Sequence, residues 1–150
     1  MLRRGAKVES YVHGRWTNED SILVGFDIGK PDGQTAWEYY CLFLVLMVFG
    51  TSSKDTGLVI LGDNLASLNL ALSLKGGRFL GRVSREIGWR RVRLGWRYLC
   101  GHLPSELNTA ADALSRLSVP GQGAKELPPE VATATRLATP TAEVPWTPGL

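Results

Sequence analysis

The chain has 150 residues, 44% of them hydrophobic and 21% charged, with a formal net charge of +3 and a mean hydropathy of −0.03. This composition predicts one small globular domain. It excludes a chain that is disordered throughout and an integral membrane protein. The longest apolar run, residues 39–49, is shorter than the about 18 to 20 residues that a spanning helix needs.

The N-terminus and the cysteines point to a reducing compartment. The first ten residues are basic, but no apolar segment typical of a secretory signal peptide follows them. Two cysteines, Cys41 and Cys100, make no disulfide framework. We therefore expect an intracellular protein, in the cytoplasm or nucleus, without a membrane partner. The two histidines, His13 and His102, and the two cysteines lack zinc-ligand spacing.

In the first half of the chain the pattern predicts strands and then a long helix. Residues 7–12 are short and mixed strand material, and residues 22–28 alternate as a better strand. After a Gly- and Pro-containing loop, residues 34–49 predict a helix that is apolar nearly all round and that Gly50 closes. A buried strand over residues 39–49 is the alternative, but the length without a breaker favours the helix.

In the second half, residues 57–62 form a continuous apolar run, which is typical of a strand buried on both faces of a sheet. Asn108 and Thr109 are suited to cap a last short helix. We expect helices over 65–74 and 79–88, a strand over 92–100, a loop over 101–107 and a helix over 110–117.

The composition changes after Ser118. Residues 119–150 hold six of the eight prolines, together with alanine and threonine, and show little periodicity. We therefore expect a folded domain over residues 1–117 and a Pro/Ala/Thr-rich disordered tail over residues 118–150. Trp146 in this tail is a stray aromatic or a short docking element.

Positive charge concentrates in residues 75–97. This segment has eight basic residues and one acid, Glu86, so it carries +7 while the rest of the chain carries −4. Seven of the eight are arginines, and Trp89 and Trp96 lie among them, a pattern typical of a nucleic-acid footprint. The solvated face of an amphipathic helix is the alternative. The candidate nucleic-acid-binding residues are Lys75, Arg78, Arg82, Arg85, Arg90, Arg91 and Arg93.

Three acids lie at the ends of separate predicted elements. Glu38 is near the start of the long helix, Asp63 follows the apolar strand, and Asp112 is near the start of the last helix. Converging carboxylates at such an edge would suit Mg²⁺. Each acid also has a simpler explanation, because Glu38 and Asp112 complement a helix dipole and Asp63 suits a turn.

A family resemblance connects these acids. Residues 102–116, HLPSELNTAADALSR, resemble the C-terminal motif of the type 1 ribonuclease H domain of gypsy-like and DIRS-like retroelement reverse transcriptases, with Ser105 where that family often has glycine. Residues 58–64 resemble the family's strand that ends in a catalytic Asp-Asn. Residues 34–38 resemble the start of its first helix, where the catalytic glutamate lies. The resemblance covers roughly residues 5–117.

The resemblance implies an α/β fold, a ribonuclease H-like mixed five-stranded sheet with helices on both faces. It also implies hydrolysis of the RNA strand of RNA–DNA hybrids with two Mg²⁺ ions, or Mn²⁺ in their place, and an upstream reverse transcriptase domain as a partner. On this analogy the metal ligands are Glu38, Asp63 and Asp112, and His102 assists protonation or product release. Asn64 and the basic segment would contact the backbone of the hybrid.

One position departs from the family. Its first strand carries a fourth acid ahead of a Gly-Ala pair, and Gly5-Ala6 would place that acid before Met1. The sequence therefore predicts an incomplete first strand and impaired hydrolysis, in a truncated or relic domain or in a piece of a longer polyprotein. A non-catalytic nucleic-acid-binding remnant is the alternative function, and a product that does not fold stably is the third.

Overall fold

The fold is described from a computed structural model that covers residues 1–53, 57–117, 126–140 and 146. It is mixed α/β, as predicted. The helices are α1 (Asn18–Val24), α2 (Gln34–Phe49), α3 (Leu65–Ser73), α4 (Arg78–Leu94) and α5 (Thr109–Arg116). The strands are β1 (Leu2–Arg4), β2 (Lys7–Tyr11), β3 (Leu58–Gly62), β4 (Tyr98–His102) and β5 (Thr135–Arg136).

The chain divides into two compact units. The first unit is Met1–Arg15 with Pro104–Thr139, and the second is Trp16–Leu103 with Pro140–Leu150. The strands of the described residues accordingly form a three-stranded sheet, in the order β1-β2-β5, and a two-stranded sheet of β3 and β4. The predicted single five-stranded sheet is therefore not what the described residues form.

The first unit is built on a hairpin. β1 and β2 pair antiparallel around Gly5, whose φ of +59° favours glycine, and β5 adds to β2 in parallel. The Gly5-Ala6 pair, which the resemblance matches to the family's first strand, thus forms the hairpin turn. β1 lies at the edge of its sheet. A small core forms where Val8 and Tyr11 of β2 meet Leu114 of α5.

The second unit is organised around α2. Four of its large side chains are fully buried, and the helix packs against α3 and α4. These side chains are Tyr39, Tyr40, Phe43 and Leu46. The parallel pair of β3 and β4 covers its core with one face only, because Val59 and Leu99 are 68% and 69% exposed on the other. The prediction that β3 is buried on both faces is therefore wrong.

The sequence predictions for α2, β3, α3 and α5 are confirmed, and the bounds of α2 are those predicted. The predicted strand over residues 22–28 is wrong, because this stretch begins inside α1. Thr17 and Asp20 form a capping box, with the Thr17 amide donating to Asp20 Oδ2 at 2.8 Å. Gly25 then ends the helix with a φ of +79°. The capping box therefore favours a helix in this segment, although its short alternating pattern is typical of a strand.

The boundary between α4 and β4 also differs from the prediction. Residues 92–94 belong to the helix, which ends at Gly95 with a φ of +71°, and β4 begins only at Tyr98. The last two residues of β4, Gly101 and His102, were expected in a loop. The helix was expected to end at Gly88, but it continues to the left-handed C-cap at Gly95.

The described part of the predicted tail contains regular structure. Pro129–Val131 form a 3-10 turn, Val131 is buried in the core of the first unit, and β5 follows. Residues 118–125, 141–145 and 147–150 lie outside the described residues. The expected domain boundary at residue 117 stays a prediction.

Candidate nucleic-acid interface

Helix α4 presents a basic face to solvent. Arg78, Arg85 and Arg93 are exposed and Arg82 is half-buried; their spacing of three, four and eight residues places them on one side of the helix. We call these four arginines the basic face of α4. The opposite side carries Val83 and Ile87, both fully buried, so apolar burial fixes which side faces outward.

The only acid of the basic segment is turned inward. Glu86 is 1% exposed and forms a buried ion pair with Arg90, which is 5% exposed. Burial lowers the pKa of the Arg90 guanidinium below its ordinary value. Arg90, a predicted nucleic-acid-binding residue, therefore belongs to the core and does not add to the outward charge.

The other predicted basic residues differ in how far they are covered. Lys75 is exposed ahead of α4. The Arg82 guanidinium carbon lies 4.1 Å from the ring centre of Trp146, and that of Arg91 lies 5.0 Å from the ring centre of Tyr98. The sequence left open whether Trp146 is a stray aromatic or a short docking element, because an isolated tryptophan in a Pro-rich segment has no periodicity to place it.

Two of the predicted catalytic residues share one edge of a sheet. β3 and β4 run parallel with Gly62 opposite His102, and the Leu103 amide donates to the Gly62 carbonyl at 2.9 Å. Asp63 and His102 are exposed at the carboxyl ends of these neighbouring strands. The next residue, Asn64, is the N-cap of α3, and its Oδ1 accepts from the Ser67 amide at 3.0 Å. Asn64 thus orients the start of a helix beside Asp63.

The other two predicted acids are held by local partners. Glu38 is half-buried on α2 and accepts a hydrogen bond from Gln34. Asp112 is on α5, in the first unit, and Arg116 Nε donates to its two oxygens at 3.0 and 2.9 Å. The Asp112–Arg116 pair is half-exposed, so its net contribution to stability is small.

A metal site requires several ligating side chains close together. Among the residues that the structure describes, no three His, Cys, Asp or Glu side chains form a group that could hold a metal ion. Of the expected magnesium ligands, Glu38 and Asp63 lie in the second unit and Asp112 lies in the first. The magnesium assignment rests on the sequence resemblance.

Comparisons with known proteins give no match: none of the family models, curated proteins or solved structures resembles the chain significantly. None of the described helices is long and apolar enough to cross a bilayer.

Proposed function

We propose that this protein binds nucleic acid through the basic face of α4. The observation that carries the proposal is the burial of Glu86 against Arg90. It removes the only acid of the segment from the surface and leaves arginines on the outward side. Guanidinium groups suit phosphate because they donate in a planar fork.

The size and charge of this face fit a phosphate backbone. With 17 residues, α4 is about 25 Å long. Exposed Lys75 and Arg97 continue the positive charge beyond the two ends of the helix. Such a surface binds by releasing the counterions condensed on the phosphates, so affinity falls as salt rises. Contacts of this kind hold the backbone and carry no base sequence.

The test removes three charges from this face and measures affinity for a 16-base-pair RNA–DNA hybrid at several salt concentrations. The triple variant carries Arg78→Gln, Arg85→Gln and Arg93→Gln. We expect the slope of log affinity against log salt to become shallower by about 2 to 3, because each lost phosphate contact removes about 0.9. A flat salt response of the unmodified chain would contradict the proposal.

A matched control removes the same charge from the other unit. Arg3, Lys7 and Arg136 are exposed there, and their replacement by glutamine changes the net charge equally. If both triple variants shift the slope to the same extent, the binding follows net charge and the assignment to α4 is wrong.

A second candidate is ribonuclease H-type hydrolysis of RNA–DNA hybrids, by descent from a retroelement. It is favoured by the strand register that sets Asp63 beside His102, at the carboxyl edge of a parallel strand pair. Glu38 and Asp112 join this candidate through the resemblance, and so do magnesium, manganese and an upstream reverse transcriptase. The missing fourth acid predicts a rate well below that of a complete site.

Cleavage of a labelled hybrid in the presence of Mg²⁺ tests this second candidate. We expect slow, metal-dependent cleavage of the RNA strand that Asp63→Asn abolishes. Asp32→Asn is the control, because Asp32 is an exposed acid of the same unit outside the proposed site. Cleavage that proceeds without metal, or that survives Asp63→Asn, would contradict this candidate. Binding of the hybrid without any cleavage would support the first proposal and contradict this second candidate.

A further inference from the structure

Two apolar side chains interrupt the basic face of α4. Trp89 is 37% exposed and Val92 is 89% exposed, and their spacing of three residues makes them neighbours on the helix surface. Arg85 lies four residues before Trp89 and Arg93 four residues after it, about 6 Å along the helix axis in each direction. We call Trp89 and Val92 the apolar patch of α4.

A phosphate backbone gives this patch nothing to bind. Phosphate contacts reward charge and hydrogen-bond donors, whereas an exposed indole and an exposed valine gain only when they cover another apolar surface. Nucleobases offer such a surface in their flat faces. In a duplex these faces are stacked on one another, but in a single strand they are free.

The Trp89 side chain is partly exposed and has a charged neighbour of the core over its ring. The guanidinium carbon of Arg90 lies over the Trp89 ring, 5.8 Å from its centre. Arg90 is itself held in the core by Glu86, so this neighbour is fixed. A stacking partner would take the opposite face of the ring.

We infer that the apolar patch of α4 is a base-stacking platform and that the preferred ligand is single-stranded nucleic acid. A base stacks on Trp89 and contacts Val92, while Arg85 and Arg93 bind the phosphates on either side. This inference rests on the proposed function and narrows its ligand from nucleic acid in general to strands with unpaired bases.

The test compares a dye-labelled 15-nucleotide oligo(dT) and oligo(rU) with a 15-base-pair RNA–DNA hybrid, by fluorescence anisotropy on the full chain at one salt concentration. We expect tighter binding of both single strands than of the hybrid. Trp89→Ala weakens single-strand binding about tenfold, within the range for loss of one stacked base, and changes hybrid binding less than twofold. Trp89→Phe retains most of the affinity because it keeps an aromatic face.

Two further variants guard this test against effects on folding. Val92 is almost fully exposed, so Val92→Ala leaves the fold intact while weakening single-strand binding about threefold. Ile22→Ala is the matched control, because Ile22 is 83% exposed on α1, away from the basic face, and we expect no change in binding.

Three outcomes would overturn the inference. If Trp89→Ala weakens neither ligand, or both equally, while the arginine triple variant still changes the salt slope, the platform is wrong and the proposed function stands. If the unmodified chain binds neither ligand, both fail. If Trp89-dependent binding to vesicles containing phosphatidylserine is as tight as binding to the oligonucleotides, the patch serves an anionic membrane surface instead.

Discussion

The two long helices of the second unit pack against each other but meet solvent in opposite ways. In α2 the single charge is Glu38, and large side chains are buried all round the helix. In α4 six arginines occur in 17 residues, and the fully buried Val83 and Ile87 lie on one side of the helix. Most of the charge that these two helices present to solvent therefore belongs to α4.

The contacts between the two helices are aromatic and polar as well as aliphatic. Tyr39 of α2 lies 3.0 Å from the Ser84 hydroxyl of α4, measured between the two oxygens. Tyr40 meets the edge of the Phe79 ring, with the ring centres 5.4 Å apart. These contacts orient α4, and through it they decide which arginines face outward.

The largest effect should come from the buried side of α2. Phe43 is fully buried and stacks on Trp146 with ring centres 5.6 Å apart. We expect Phe43→Ala to lower the free energy of unfolding by about 3 to 5 kcal/mol, because it removes buried apolar area and leaves a cavity. Urea unfolding measures this, with the exposed Ile22→Ala expected within about 0.5 kcal/mol of the unmodified chain. Equal losses in the two variants would show that α2 is not the centre of the core.

The ion pair of α4 should come next. Glu86→Gln removes the negative charge that faces the buried Arg90 guanidinium, so we expect a loss of about 3 kcal/mol in the free energy of unfolding. Replacing both residues by leucine should recover most of that loss, because it removes the charge together with its partner. A fully neutral Glu86→Gln would mean that Arg90 reaches solvent, against its burial.

Tyr40 of α2 offers a smaller effect that depends on pH. Its buried hydroxyl has no hydrogen-bond partner among the described residues, and burial, with the Asp20 carboxylate, raises its pKa to about 12. Because the folded pKa lies above the unfolded value of about 10, the contribution of Tyr40 to the free energy of unfolding is constant below pH 10. This contribution falls between pH 10 and 12. We expect Tyr40→Phe to add about 1 kcal/mol at pH 7 by removing an unsatisfied hydroxyl.

A pH series of urea unfolding curves checks both parts of this prediction. The variant should lose less stability than the unmodified chain between pH 10 and 12. Tyr98, whose hydroxyl donates to the Ala71 carbonyl at 2.6 Å, is the control at pH 7 only, because burial raises its pKa to about 12 as well. Its replacement by phenylalanine should lower stability at pH 7, because it leaves that carbonyl unpaired. A gain from Tyr98→Phe would contradict the difference between the two tyrosines.

The smallest effect should come from one arginine on the outer side of α4. Arg93→Gln is expected to change the free energy of unfolding by less than about 0.5 kcal/mol. It should reduce the salt slope of nucleic-acid binding by about 0.9. Arg3→Gln in the first unit is the control for loss of one charge. A large loss of stability in Arg93→Gln would contradict the exposure of this side chain and would mean that it packs in the core.

Local signals predicted part of this structure. The bounds of α2 follow from a stretch of 16 residues without glycine or proline between Gly33 and Gly50, most of them apolar. The segment around Ile22 was mispredicted because its alternation is as compatible with a strand as with a helix turn, until Thr17 and Asp20 close a cap ahead of it. Val131 was missed, and the role of Trp146 stayed open, because a Pro-rich composition contains no period that marks a buried face.

The candidate site was likewise predicted only in part from the sequence. The charge run located the arginines, and the apolar run before Asp63 predicted that this acid follows a strand, whereas His102 was expected in a loop. The pairing of β3 and β4 was not visible in either segment alone, because it consists of hydrogen bonds between residues 40 positions apart in the chain. The place of Val92 on the basic face was missed because the strand was expected to start there.

By itself, then, the sequence determined where positive charge concentrates and which long segment is apolar enough to form the centre of a core. Only the tertiary structure decided which side of α4 faces solvent, and that Arg90 turns inward to Glu86 while Arg85 and Arg93 remain outside. The physical reason is that composition sets how much charge a segment carries, whereas burial depends on the packing partners that distant residues supply.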